Sequence, residues 1–465
     1  MTQPFDNRRD FARTSAAFVA GAAAVPYFFS AQRIWADEVR SKNDRLKIGL
    51  IGAGGMGLAN MNAVKDWCDV VAICDVDFDR VSRANQGLSK YRADTYHDYR
   101  TLLERDDLDA IHIATPDHWH TKILVETLLA GHDVYCEKPL TLTIDEGKLL
   151  RKVVKDTGQI VQVGTQQRST FNLFVKAIAM VAAGRVGKIK KLQAAIGSAP
   201  QSQAIPVAEV PQPFDWERWI GPAPMTDYRF LQESYQDKKS KKKKTRINSN
   251  GHFEFRWWYD FSGGKLTDWG AHHVDIAMWA LEANGQSSAP ISIGGEVTHP
   301  VDFKDGYPVQ KDRYNTATKF NLKVLFPGDV ELTIRHDTAS GVLIEGDQGR
   351  IFVNRGKLTG KPVEDLQENP LPEDAIKKVY KGLPLEHNER KAHWANFFHC
   401  CRERIEPISD VPSHMRALNV CHLAGIAARL GRTIKWDAQT EQIVGDEQAN
   451  SFVARPYRKG YEIEM

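Results

Sequence analysis

Leu46-Lys47-Ile48-Gly49-Leu50-Ile51-Gly52-Ala53-Gly54-Gly55-Met56-Gly57 is the stretch that decides the fold. Leu46 to Ile51 is almost continuously apolar, as in a strand buried on both faces of a parallel sheet. Gly52-x-Gly54-x-x-Gly57 follows directly, and residues 58–64 read as the start of a helix. Gly52 permits a tight turn, Gly54 lets the backbone approach a pyrophosphate, and Gly57 lets helix and strand pack closely. The free N–H groups where the helix begins, at Gly55 and Met56, suit a phosphate. Three glycines alone are a weak signal; the strand before them, the helix after them and a correctly spaced acid make it specific. That acid is Asp75, at the end of an apolar strand over residues 70–74. Its carboxylate can accept hydrogen bonds from the adenosine ribose hydroxyls and repels a 2′-phosphate, so NAD is the expected cofactor and NADP the less favoured one. Asp77 is a nearby competitor, and the strand-end position favours Asp75.

Working outward, strands and helices alternate. Residues 109–115 read as a strand ending at Pro116, and 120–129 as a helix. Residues 132–139 read as the next strand, 149–156 as its helix, and 160–165 as the strand that closes the sheet. This alternation implies a parallel sheet. Ligands bind at the carboxyl ends of such strands, which gathers Thr115, Pro116, His118, His120, Glu137, Lys138 and Gln166 around one crevice.

A chain of 465 residues is too long for one ordinary core, so two domains are expected. Hydrophobic residues make up 42% and charged residues 26%, and Lys plus Arg exceed Asp plus Glu by only 3. Such a balance points to no nucleic acid or membrane-surface partner. The one dense basic cluster, residues 238–244, has no interleaved aromatics and reads as a solvated loop. The six cysteines form no CxxC pair, which argues against a thiolate zinc site, and no disulfide is expected. Asn7-Arg8-Arg9-Asp10-Phe11 followed by an Ala-rich apolar run over 16–24 resembles a twin-arginine export signal. The run is too short to span a bilayer as a helix, and the expected location is periplasmic or otherwise exported.

GAGGMG from Gly52, ATPDHWH from Ala114, CEKP from Cys136, GTQQR from Gly164 and GGKLTDWGAHHVD from Gly263 occur in that order. Together they resemble the glucose–fructose oxidoreductase, inositol dehydrogenase and rhizopine-catabolism (Gfo/Idh/MocA) family. The resemblance runs from about Leu46 to Trp279 and extends more loosely toward Asp437. It implies an N-terminal Rossmann domain, a C-terminal α+β domain with a mostly antiparallel sheet, and NAD(P)-dependent oxidation or reduction of a sugar or polyol carbon. It also implies that Lys138, Asp268 and His272 are the catalytic set, and that the peptide before Pro139 is cis. Homo-oligomerisation through the second-domain sheet is expected as well.

The residues themselves agree with that set. If 266–281 is helical, a spacing of four puts Asp268 and His272 on one face. Oxidising a secondary alcohol requires removal of the hydroxyl proton as hydride leaves the carbon. His272 suits the proton, Lys138 can hold the oxygen, and Asp268 can orient the histidine or bind a neighbouring hydroxyl. His273 reads as a core histidine. Asp268, His272, His273 and Asp275 could instead ligate a metal, but adjacent histidines point to different helix faces, so no metal is expected. Trp119, Trp257, Trp258 and Trp269 could stack on a sugar or fill the core.

Residues 200–244 look like an extended excursion rather than a core element, with 214–222 an ordered loop near the crevice. Residues 291–297, 316–326, 330–335 and 342–353 read as antiparallel strands, and 393–402 and 414–430 as helices. The expected organisation is a signal and linker over 1–44, a dinucleotide-binding domain over 45–166, a substrate-binding domain over 167–440 and a tail over 441–465. Two other functions fit the same residues: a redox-neutral glycosidase or epimerase that oxidises a ring carbon transiently, and a catalytically silent binding protein.

Overall fold

A computed structural model describes residues 45–90, 92–236, 242–384 and 388–464. The export-signal reading, and residues 238–241 of the basic cluster, lie outside the described residues.

Mostly apolar, buried strands build the first layer. β1 (Leu46–Ile51), β2 (Cys68–Cys74), β3 (Asp94–Tyr96), β4 (Ala110–Ile113), β5 (Asp133–Cys136) and β6 (Val161–Val163) form one sheet in the order β3-β2-β1-β4-β5-β6. Every pairing is parallel, the doubly wound arrangement whose ligand crevice opens where the strand order reverses, beyond β1 and β4. β3 has only three residues and no apolar signature, so the pattern of hydrophobicity does not reveal it. The helix Ile144–Thr157 starts five residues before its expected position. Thr143 and Glu146 form a reciprocal capping box there, satisfying two of the backbone N–H groups that a helix start leaves open.

The second layer is a nine-stranded mixed sheet. Its order is Leu358–Thr359, Arg350–Val353, Gly341–Gly346, Ile189–Ala195, Val330–Arg335, Lys319–Phe326, Ser292–Thr298, Ile434–Asp437 and Gln442–Ile443. All its pairings are antiparallel except Ile189–Ala195 with Val330–Arg335. The expected strand over 342–353 is a hairpin of two strands. Lys319–Phe326 alternates exposed and buried residues without a break, so one face of the sheet is covered and the other open. Helices Gly270–Ala283 and Val411–Leu430 lie on the covered side, and their apolar residues join those of both sheets in one continuous core. Arg45–Met465 is accordingly one compact unit.

One expectation needs correction. Residues 200–244 are not a bare excursion: they supply the helix Trp216–Ile220 and the strand Phe230–Gln236, which pairs with Lys243–Ser249. Phe214, Trp216, Trp219 and Tyr228 join Trp257, Trp258, Phe261 and Tyr314 in a second, largely aromatic core. These large rings bury enough apolar area to order a segment whose composition reads as loop. Within the tail over 441–465, Arg455 to Glu462 bond back onto the first layer.

Candidate active site

The crevice beyond β1 and β4 is a cavity of about 630 Å³. One wall is the glycine loop. Gly52 has φ +96°, and a Cβ there would meet the Ala114 carbonyl carbon at 2.5 Å. At Gly57 a Cβ would lie 2.2 Å from the Gly52 oxygen, so only glycine lets the helix Gly55–Val64 sit so close to β1. Gly54, Gly55 and Met56 line the cavity while Gly57 packs behind them. No side chain caps this helix, so its first N–H groups are available for a phosphate.

Asp75 ends β2 and lines the same cavity. Its two carboxylate oxygens accept from the amides of Ala53 at 2.8 Å and Asp77 at 3.0 Å, which fixes the side chain beside the loop. Asp77 is turned to other work, capping the helix Phe78–Ser89 and pairing with Arg80 at 3.2 Å. Arg80, five residues past Asp75 and the nearest side chain that could offset the repulsion of a 2′-phosphate, also lines the cavity; its guanidinium reaches to 2.8 Å from where a Cβ on Gly54 would stand.

The ends of β4 and β5 form the floor. Thr115, Pro116, His120, Glu137, Lys138 and Gln166 all line the cavity. His120 contacts the carbonyls of Pro139 at 2.7 Å and Thr115 at 2.9 Å, so it ties two loops together. Glu137 accepts from Asn60 Nδ2 at 2.7 Å and Gln166 Nε2 at 3.3 Å. Burial pushes its carboxyl up, against the Lys138 charge and the Asn60 bond. His118 is the exception. It is buried outside the cavity lining, with Nε2 on the Trp219 carbonyl at 2.9 Å and its ring against Phe261. Successive helical residues diverge by about 100°, so His118 and His120 cannot both face the crevice.

Lys138, Asp268 and His272 converge on the far end. The Lys138–Pro139 peptide is cis. Lys138 Nζ donates to Asp268 Oδ1 at 2.6 Å and to the Asp268 carbonyl at 2.9 Å. The expected helix is broken at Trp269: Lys265–Asp268 forms one turn and Gly270–Ala283 the rest. Asp268 bonds Lys138 and neither ring nitrogen of His272. Burial raises the Asp268 carboxyl, but the charges of Lys138 and Arg256 outweigh it and hold it at about 2. His272 is pushed well below its usual range by burial, then by the charges of Lys138 and Arg355. Its Nδ1 is buried without a partner, and Trp269 packs edge-on to the ring. A neutral imidazole keeps one ring nitrogen able to accept a proton.

Sequence reasoning missed two residues here. Asp117 lines the cavity and accepts from Ser262 Oγ at 2.6 Å; burial raises its carboxyl to about 7 against the pull of Arg256. Arg168, within the GTQQR stretch, grips Asp275 through two bonds of 2.7 and 2.8 Å, and both side chains are buried. Asp275 is thus an ion-pair partner and not a metal ligand, and His273 contacts the Ala195 carbonyl at 2.9 Å in the core. Among the described residues no group of three His, Cys, Asp or Glu side chains is placed to share a metal ion. Trp119 and Trp269 line the cavity, whereas Trp257 and Trp258 belong to the aromatic core.

The cavity fits a dinucleotide on its own evidence: a glycine cradle that side chains would fill, an acid beside it, and the Thr115 hydroxyl and His272 Nδ1 buried in its wall unpartnered. Comparison with known proteins agrees. Residues 46–165 match the Gfo/Idh/MocA oxidoreductase family's NAD-binding Rossmann fold, and residues 198–463 match its C-terminal alpha/beta domain. The chain belongs to the Gfo/Idh/MocA oxidoreductase family. As a member it has an NAD-binding Rossmann domain, and NAD is its cofactor. A glycosyl hydrolase family 109 protein 2 of Shewanella sp. (strain ANA-3) is 38% identical over 114 residues, 23% of this chain and 25% of that protein. Inositol 2-dehydrogenase 4 of Saccharopolyspora erythraea is 31% identical over 189 residues, 38% of this chain and 54% of that protein. The chain therefore spans between a quarter and about half the length of these relatives. A levoglucosan dehydrogenase solved with NADH and levoglucosan shares the fold, with TM-score 0.57 at 17% identity over 84% of this chain and 99% of that one. The WlbA dehydrogenase of Bordetella pertussis, solved with NADH and UDP-GlcNAcA, has TM-score 0.57 at 16% identity over 85% and 99%.

Proposed function

We propose that this oxidoreductase moves hydride between a secondary-alcohol carbon of a sugar or polyol and NAD. The observation that carries the reading is the convergence of Lys138, Asp268 and His272 on the cavity that holds the glycine loop. When bound, the nicotinamide supplies the hydride acceptor or donor. Neutral His272 takes the hydroxyl proton through its cavity-facing edge. Lys138, fixed by Asp268, holds the substrate oxygen and stabilises negative charge developing on it. Trp269 lines the same cavity with its ring under Lys265 and Arg355, at 5.3 and 5.4 Å from the ring centre, so it helps position cations beside the substrate. The dehydrogenase relatives named above support this substrate class. Screening sugars and polyols for reduction of NAD by the purified protein tests it; a site that reduces NAD with none of them, yet binds NADH, goes against it.

The family 109 glycosyl hydrolase names among the relatives favour a second reading, a redox-neutral reaction through a transient keto-sugar. An aryl glycoside cleaved with no net NADH would establish that alternative. The twin-arginine-like leader supports a related proposal: the protein folds around its dinucleotide, is exported, and retains and regenerates the cofactor where free NAD is scarce. Cell fractionation tests the location, and a cytoplasmic protein would overturn it. The open face of the nine-stranded sheet further suggests association of copies through that face, which light scattering on the purified protein would test. No described helix is long and apolar enough to cross a membrane.

A further inference from the structure

After the turn Ser451–Val453, the last residues run back over the dinucleotide-binding half and are fastened repeatedly. Arg455 pairs with the buried Glu146 at 3.0 Å, and Tyr457 donates to the same carboxylate at 2.9 Å. Arg458 pairs with Glu217 at 2.7 Å, and the Tyr461 hydroxyl donates to the other Glu217 oxygen at 2.9 Å. Lys122 Nζ donates to the Glu462 carbonyl at 2.6 Å. So held, Tyr461 stands edge-on to Trp119 with ring centroids 5.6 Å apart, and Arg458 covers its ring at 4.3 Å. Tyr461 and Trp119 both line the cavity.

The landmarks of the cavity say which part of a dinucleotide this wall meets. The glycine loop marks the pyrophosphate, Asp75 the adenosine ribose, and Lys138 with His272 the reacting end. His97, Tyr99, Trp119 and Tyr461 belong to the same lining and include none of the reacting groups. Tyr99 meets Trp119 edge-on at 5.9 Å, so these rings form one aromatic wall. A flat, apolar base is the ligand portion such a wall suits.

We propose that the C-terminal segment is a retaining wall of the adenosine site, and that Tyr461 closes it over the adenine and slows dinucleotide release. A bound adenine gains a ring contact and loses water on that side. For the base to leave past this wall, Tyr461 must move, and its hydroxyl and Arg458 neighbour are both tied to Glu217. The inference rests on the dinucleotide reading of the cavity and on no assumption about the sugar.

The test is the rate of NADH dissociation from the full chain, followed by fluorescence after a chase with excess NAD. Tyr461→Ala should release NADH roughly tenfold faster, the effect of losing one well-packed aromatic contact. Tyr461→Phe, which keeps the ring, should release it within about twofold of wild type. Glu217→Ala, whose side chain lies outside the cavity lining, should fall between them and carries the test if Tyr461→Ala fails to fold. Release from Tyr461→Ala, or from Glu217→Ala in that event, at the wild-type rate overturns the proposal while leaving the site intact. A wild type that binds no NADH overturns the dinucleotide reading and this proposal together.

Discussion

Asp268 sets the electrostatics of the reacting end. Its carboxylate, held at about 2, keeps an anion 2.6 Å from Lys138 throughout the neutral range. Burial, helped by the charges of Lys138 and Arg355, keeps His272 neutral. Lys138→Met or His272→Ala should therefore lower turnover by about a hundredfold or more, the range for losing an oxyanion-holding or proton-transfer group. NADH binding should survive both changes, since neither residue belongs to the glycine loop; fluorescence titration separates the two effects. Near-normal turnover in either variant would remove that residue from the mechanism. At the opposite end, Asp75 should make NADH bind more tightly than NADPH, because a fixed carboxylate repels a 2′-phosphate. Arg80 is the residue that could offset this repulsion, and equal or tighter NADPH binding in a parallel titration would show that it does.

Among the elements, the helix Gly270–Ala283 depends on an ion pair that the sequence alone does not announce. Arg168 comes from the 3₁₀ turn Gln166–Ser169 just beyond β6 and reaches Asp275 on the helix that carries His272. The pair thus fixes the helix that carries His272 relative to the floor of the cavity. Both groups are buried, so removing one leaves the other charge uncompensated. Arg168→Met should cost about 3–5 kcal/mol of stability, measurable by urea denaturation, whereas a loss under about 1 kcal/mol would mean that water replaces the guanidinium. The helix Gly55–Val64 has a different sensitivity. Gly57→Ala would place a carbon 2.2 Å from a backbone oxygen, so helix and strand must separate. We expect NADH affinity to fall with a stability loss of about 1–3 kcal/mol; unchanged affinity would detach the helix start from phosphate binding.

On the scale of the molecule, the two layers share one apolar core and unfolding should be governed by what that core buries. Eight of its surrounding histidines (His112, His118, His120, His272, His273, His393, His414 and His422) are buried, and burial lowers the pKa of each. His112, His273, His393 and His422 fall to about 4, and His118 and His414 to about 3. In the unfolded chain a histidine titrates near about 6.5. Between these values the unfolded state binds more protons, so stability is present above about pH 6.5 and is lost as pH falls toward 4. Each such histidine contributes a slope of roughly 1.4 kcal/mol per pH unit. Thermal melts should drop steeply across that window, and a melting temperature flat from pH 7 to about 4.5 would contradict the buried, neutral state of these rings.

The sequence by itself determined the parallel sheet, the glycine loop with Asp75, and the order in which the site residues occur. Those are local matters: a buried strand must be apolar, a backbone that meets a phosphate must lack side chains, and an acid at a strand end needs only the right spacing. It also placed most of the second-domain strands, because a half-buried strand writes its alternation into the chain. Tertiary structure alone decided the rest. That His118 turns away while His120 faces the crevice follows from how one helix is rotated against the aromatic core. That Asp268 bonds Lys138 and not His272, although both line one cavity, follows from a contact between residues 130 positions apart. Arg168 with Asp275 and Tyr461 with Trp119 join residues more than a hundred positions apart. No periodicity connects such distant residues, and only the packing of the two layers brings them together.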